Sequence, residues 1–264
     1  VDDGDHMTWC TVDGYAAGTS HRESQTGCQD RARVARIGDA IVVAVVADGA
    51  GSAACAERGA ELVCSGTIDA IARDVSGDAD LDALDDDAVR AWFAAVRERI
   101  VDEAATAGRD VRDYAATALL CVAGSTHTIC AQIGDGGIVV RPRDDAFAVA
   151  IWPENGEYAN QTFFVTDTDA NERVSIARFG AVDDVAVFSD GLMRLALDLA
   201  TRTAFAPFFE PLTRTVRESA HDGAALAAEL VAYLSSDAIN ARTDDDKSIA
   251  IATRLSAGET GLAP

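Results

Sequence analysis

Residues 41–52 read Ile-Val-Val-Ala-Val-Val-Ala-Asp-Gly-Ala-Gly-Ser. Seven apolar residues, Ile41 to Ala47, run without interruption into Asp48-Gly49. A run this short and this rich in valine fits a strand buried on both faces. The Asp-Gly that ends it is a turn signal. The same event recurs in Gln132-Ile133-Gly134-Asp135-Gly136 and in Val187-Phe188-Ser189-Asp190-Gly191. A further acidic cluster, Asp244-Asp245-Asp246, stands just ahead of a strand-like close. Each Asp-Gly alone reads as a turn. If the strands share one sheet system, however, their terminal carboxylates gather on one edge, where they repel and are driven to take up protons. A divalent cation removes that conflict, and an oxygen-only set suits Mg²⁺ or Mn²⁺. Glycine beside each aspartate lets the backbone approach an ion and lend its carbonyl. Two such ions about 3.5–4 Å apart can activate a water for in-line attack on phosphorus.

Working outward, strands are expected over Thr8–Ala16 and Ala32–Ile37, with a helix over Ala53–Arg73. A second helix is marked by the capping acids Asp85–Asp87 and by Val89, Trp92, Phe93, Val96 and Ile100 on one face. Leu81–Asp85 reads as a surface loop before it. Strands return at Thr117–Ala123, Thr128–Ile133, Ile138–Arg141 and Ala146–Trp152, separated by turn residues that favour antiparallel pairing. Thr162–Val165, Val174–Arg178 and Val185–Ser189 follow as strands, then helices over Thr203–Ser219 and Ala224–Ser235, then a last strand, Ser248–Leu255. Strands in groups, hairpin connections and helix pairs give an α+β fold with layered sheets. Gly49-Ala50-Gly51-Ser52 is no G-x-G-x-x-G, and the chain has no G-K-[ST], so neither a Rossmann nor a P-loop nucleotide site is present.

The 264 residues suffice for one domain with a full core, and no linker or internal repeat divides them. Asp and Glu number 44 against 22 Lys and Arg, a net charge of −22. Such a surface repels phosphate backbones and anionic bilayers, which argues against nucleic-acid and membrane partners. It either collects cations or simply keeps the chain soluble. No apolar run approaches the roughly 20 residues of a membrane span. The six cysteines form no C-x-x-C pair and sit mostly in apolar stretches, as buried reduced thiols would in a cytoplasmic protein. His6-Met7 reads as a cloning junction, which makes 1–6 a cloning remnant, 7–258 the single domain and 259–264 a tail.

The motifs resemble, in order, those of the PPM or PP2C-type metal-dependent protein phosphatases, in particular the bacterial branch. They are Ser20-His21, Cys28-Gln29-Asp30-Arg31, Val46–Ser52, Ala116-Thr117-Ala118, Ile133–Gly136, Gly156–Thr162, Phe188–Leu192 and Asp245–Ser248. The resemblance implies a four-layer α-β-β-α sandwich with two central antiparallel sheets and a metal centre at their edge. It implies hydrolysis of phosphoserine and phosphothreonine in proteins, with two Mn²⁺ or Mg²⁺ ions activating a water that attacks phosphorus directly. Asp48 then bridges the ions and, with Asp190, carries catalysis. Gly49 lends a carbonyl, Asp190 and Asp245 complete one shell, and Gln29 or Asp30 serves the other ion. Asp135 corresponds to a ligand of a third, weaker ion. A phosphorylated protein and a cognate Ser/Thr kinase are the implied partners in signalling.

Three positions depart from the pattern. Gln29 replaces a glutamate, Arg194 replaces a third-ion aspartate, and Ala50 stands where eukaryotic members carry a histidine. Arg194 therefore argues against a third ion. Arg22 and His21 are the candidates for phosphate binding, His21 also for proton donation or a purely structural role, and Arg194 stands as a further phosphate candidate or a surface ion pair. Gly156–Thr162 is a substrate loop or a structural turn. His127 reads as a hairpin residue and His221-Asp222-Gly223 as a helix cap. The alternative function is a PP2C-fold binding or regulatory module with weak turnover, motivated by Gln29 and Arg194; an acidic cation buffer is a further one.

Overall fold

The computed structural model describes residues 9–76, 78–152, 162–219 and 223–255. The expectations for the start at Met7, for the loop 156–161, for the cap at His221 and Asp222, and for the tail lie outside these residues. The first half runs β1 (Trp9–Ala16), α1 (Thr19–Glu23), β2 (Asp30–Ile37), β3 (Ile41–Asp48), α2 (Ala56–Asp74), α3 (Asp78–Ala83) and α4 (Asp86–Ala107). It continues through two hairpins, β4 (Ala118–Ala123) with β5 (Thr128–Ile133) and β6 (Gly137–Pro142) with β7 (Ala148–Ile151), the chain crossing from one sheet to the other between β5 and β6. The second half holds β8 (Ser175–Phe179), β9 (Val182–Phe188), α5 (Met193–Ala196), the short β10 (Leu197–Asp198) and β11 (Thr203–Ala204), then α6 (Ala206–Glu218), α7 (Gly223–Leu234), α8 (Asp237–Asn240) and β12 (Lys247–Arg254).

Two five-stranded antiparallel sheets form, ordered β1-β12-β9-β6-β7 and β2-β3-β4-β5-β8. The alternation within β3 explains the layers. Val42, Ala44 and Val46 point toward the other sheet and join Trp9, Val185, Val187 and Ala250 in the central core. Ile41, Val43, Val45 and Ala47 point the opposite way, onto Val63, Ile71, Trp92 and Val96 of α2 and α4. The second sheet does the same. Ala250 and Ala252 of β12 face inward, whereas Ile249 and Ile251 pack on Phe208, Phe209, Leu226 and Leu230 of α6 and α7. A strand covered on both faces has no polar position to spare, which is why residues 41–47 are wholly apolar. The result is an α-β-β-α sandwich, the α+β architecture expected.

Three local expectations need correction. The strands β5 and β6, expected to pair as sequence neighbours, lie in different sheets, because the chain passes from one sheet to the other through the Gly134-Asp135-Gly136 turn. Of the loop expected over Leu81–Asp85, Leu81–Ala83 instead close the helix Asp78–Ala83, with Leu81 buried in the core, and Leu84 and Asp85 stay outside a helix. Residues 162–165 are not a strand; the segment touches the sheet through Val165 N, which donates to Ala116 O at 3.0 Å. α4 begins as expected, with Asp85 accepting from Ala88 N at 2.8 Å. Trp92 and Phe93 are core residues. None of the six cysteines is in a disulfide. His127 sits just before β5 and contacts Asp82 at 3.2 Å.

Candidate active site

Antiparallel pairing brings the scattered aspartates to one end of the sandwich. β3 ends at Asp48, directly opposite Asp30 at the start of β2. β9 ends at Phe188, opposite Gly137 at the start of β6 and Ile249 near the start of β12. Asp135 lies in the β5–β6 turn, Asp190 just past β9 and Asp245 just before β12, so all three emerge at that same edge. There His21, Gln29, Asp48, Asp135, Asp190 and Asp245 line a cleft of about 470 Å³, with Gly49 to Ser52, Thr162 and Phe164. A separate groove between α6 and α7 is apolar and holds Glu229 as its lone ionisable carboxylate.

The backbone around Asp48 is fixed from two sides. Asp48 N donates to Thr117 Oγ1 at 2.9 Å, and Thr117 N returns a bond to Asp48 O at 2.8 Å. Gly49 is pressed under α2: a Cβ there would lie 2.6 Å from Ala56 O, so no other residue fits. At Gly191 a Cβ would meet Asp246 O at 1.9 Å, which locks the Ser189–Leu192 turn against the leader of β12. Asp30 is buried behind the cleft and accepts from Ser248 Oγ at 2.9 Å. Ser189 Oγ in turn accepts from Ser248 N at 3.0 Å. Thr162 Oγ1 donates to Asp135 Oδ2 at 2.9 Å.

Crowding shows in the acids' proton affinities. Burial, and then the neighbouring Asp135, Asp245 and Asp30, push the Asp190 carboxyl up to about 7. Burial raises Asp30 to about 6, against the opposing hydrogen bonds from Ser189 and Ser248. Asp48, between Asp30 and Asp190, is held well above the carboxylate range, first by burial and then by their charges. Its side chain is within hydrogen-bonding reach of both neighbours, an arrangement that needs a shared proton or a cation in its place. Gln29 Oε1 is buried without a hydrogen-bond donor. Acids that hold protons against their ordinary tendency and an unsatisfied amide oxygen fit a hard divalent cation. Among the described residues no three His, Cys, Asp or Glu side chains close into a ready-made cage; the acids ring an open cleft.

The phosphate-binding candidates separate. His21 lines the cleft, whereas Arg22 is exposed on α1 and is not among the lining residues. Arg194, on α5, is likewise exposed and outside the lining set. Sequence reasoning missed Asp246. It is buried, accepts from Gly18 N at 2.7 Å and from Gln29 N at 2.6 Å, and contacts His21. The triple Asp244-Asp245-Asp246 gave no sign of which member turns inward. The register of β12 does: Lys247 pairs with Ala16, so Asp246 meets the segment that follows β1.

The profile of the family described as protein phosphatase 2C matches residues 17–235. The chain belongs to the protein phosphatase 2C family. It is 35% identical over 252 residues to Serine/threonine-protein phosphatase 3 of Escherichia coli strain K12, covering 93% of this chain and 98% of that one. It is a protein serine/threonine phosphatase. Solved structures share the fold at lower identity. PppA, described as a regulatory component of T6SS in Pseudomonas aeruginosa, is 22% identical with a TM-score of 0.62, over 94% of this chain and 98% of that one. The catalytic domain of the serine/threonine protein phosphatase PstP, solved in complex with two manganese ions, is 15% identical with a TM-score of 0.60, over 95% and 100%. No helix among the described residues is long and apolar enough to cross a membrane.

Proposed function

We propose that this phosphatase hydrolyses phosphoserine and phosphothreonine monoesters by direct attack of water on phosphorus, with two Mn²⁺ or Mg²⁺ ions as cofactors. The observation that carries the reading is the gathering of Asp48, Asp135, Asp190 and Asp245 on one cleft, with Asp30 behind them and their proton affinities raised by one another. Asp48, the Gly49 carbonyl, Asp190 and Asp245 would hold the ions, with Gln29 or Asp30 serving the second and Asp135 a further, weaker one. When bound, the ions supply Lewis acidity and a water activated at neutral pH. The chain's own part is orientation. Thr117 pins Asp48, Ser248 holds Asp30, Thr162 steadies Asp135, and Phe164 walls the cleft.

Gln29 is neutral where a carboxylate would bind a cation more tightly, which makes the second ion the weaker one. The same residue favours the alternative, a binding module with weak turnover. Calorimetric titration with Mn²⁺ separates them: two micromolar-to-millimolar sites support the hydrolase, and none supports the module. The net charge of −22 favours phosphoproteins with neutral or basic flanks. Their supply requires a Ser/Thr kinase. The absence of disulfides among six cysteines supports a reducing, cytoplasmic setting. Asp190→Asn is expected to cut Mn²⁺-dependent hydrolysis of p-nitrophenyl phosphate by roughly 100-fold or more. Full activity in that variant would overturn the assignment.

A further inference from the structure

Hydrolysis of an alkyl phosphate leaves a strongly basic alkoxide, which departs readily only when it receives a proton. Most groups lining the cleft are unsuited to that task. Among the described residues they include no lysine or arginine, and His21 is the one imidazole.

Its placement is built from distant parts of the chain. The segment between β1 and β2 is tied to the leader of β12 by Ser20 N and Ser20 Oγ, which donate to Asp244 O at 3.1 and 2.7 Å. Gly18 N donates to Asp246 Oδ1 at 2.7 Å and Gln29 N to Asp246 Oδ2 at 2.6 Å. His21 Nδ1 lies 2.8 Å from that same Oδ2. The two atoms touch without a linear hydrogen bond, and Nδ1 is shut off from solvent. The side chain as a whole keeps 22% of its exposure and lines the cleft beside Asp48 and Asp190. With Nδ1 turned onto Asp246, the opposite edge of the ring, which carries Nε2, is the edge left to the cleft.

We propose that His21 is the proton donor to the leaving oxygen, and that Asp246 is its positioning residue. This deepens the hydrolase reading and rests on it. As water bonds to phosphorus, the P–Oγ bond of the phosphoserine or phosphothreonine breaks and its electron pair stays on Oγ. The proton on His21 Nε2 passes to Oγ, giving the alcohol. The attacking water gives up a proton to solvent, and the ring regains one from solvent. Asp246 Oδ2, 2.8 Å from Nδ1, holds the ring in place beside the cleft, as a carboxylate set behind a functional histidine does.

The test compares leaving groups. Wild type, His21→Gln and Asp246→Asn are assayed on a phosphoserine peptide and on aryl phosphates, of which p-nitrophenyl phosphate needs no proton to depart. In His21→Gln, kcat is expected to fall about 100-fold or more on the peptide but only several-fold on p-nitrophenyl phosphate, as loss of a general acid requires. The slope of log kcat against leaving-group pKa should steepen, and Asp246→Asn should move both readouts in the same direction by less. Two readouts are independent of turnover. Calorimetry should find the wild-type number of Mn²⁺ sites in His21→Gln, and ¹⁵N NMR should show the His21 Nδ1 signal shifted in Asp246→Asn. Equal losses on both substrates, an unchanged slope, or loss of Mn²⁺ sites in His21→Gln would overturn the proposal and leave the hydrolase reading standing. A wild type that hydrolyses neither substrate would overturn both.

Discussion

Asp48 is in conflict with its surroundings, buried between Asp30 and Asp190. Burial and the charges of Asp30 and Asp190 hold it protonated well above the carboxylate range, and Asp190 itself is pushed up to about 7. The sign follows from linkage. Acids whose folded pKa is raised bind protons more tightly folded than unfolded. Their contribution to stability is fully present below about pH 4 and is lost as pH rises through about 6 for Asp30 and about 7 for Asp190. Metal binding requires the deprotonated forms, so Mn²⁺ competes with protons across that same range. In EDTA the melting temperature should therefore fall between pH 5 and 8 for these groups, and the rise in Tm on adding Mn²⁺ should grow. Scanning calorimetry with and without Mn²⁺ at several pH values checks this; a Mn²⁺ effect independent of pH would contradict it. These residues were legible one by one, because Asp-Gly ended an apolar run each time. Asp246 was not, because its partners Gly18, His21 and Gln29 lie more than 200 residues away along the chain.

At the scale of elements, the strands were readable where both faces are buried. Residues 41–47 and 118–123 are apolar throughout because one face meets the other sheet and the opposite face meets α2 and α4. α3 was hidden for the converse reason. Asp78-Ala79-Asp80-Leu81-Asp82-Ala83 shows little apolar periodicity, and among its described side chains Leu81 is the one in the core. Residues 162–165 look strand-like in composition, yet they meet the sheet only near its edge and stay irregular. The site depends on these elements through β4, whose leading Thr117 pins Asp48. Thr117→Val removes the hydroxyl that accepts from Asp48 N and leaves a buried donor unsatisfied, at a cost of about 1–3 kcal/mol. Urea denaturation should show that loss, and Mn²⁺ affinity should weaken with it. Wild-type stability in this variant would mean that Asp48 is held by other contacts.

The whole molecule adds charge. With 44 acidic against 22 basic residues, its field concentrates divalent cations and basic peptides and repels acidic ones. Phosphopeptides with basic flanks are therefore expected to show higher kcat/KM than acidic-flanked ones by roughly tenfold at low salt, with the gap closing as salt rises past about 0.15 M. Steady-state kinetics over a salt series checks this; a preference that ignores salt would point to shape recognition. The fold turns five carboxylates far apart in the chain into neighbours, and the central claim is that they share divalent ions. The most direct test is anomalous diffraction from crystals soaked in Mn²⁺. The account predicts two manganese ions flanking Asp48, about 4 Å apart or less, with Asp190 and Asp245 among their ligands. Manganese bound only to scattered surface carboxylates, with none beside Asp48, would contradict it.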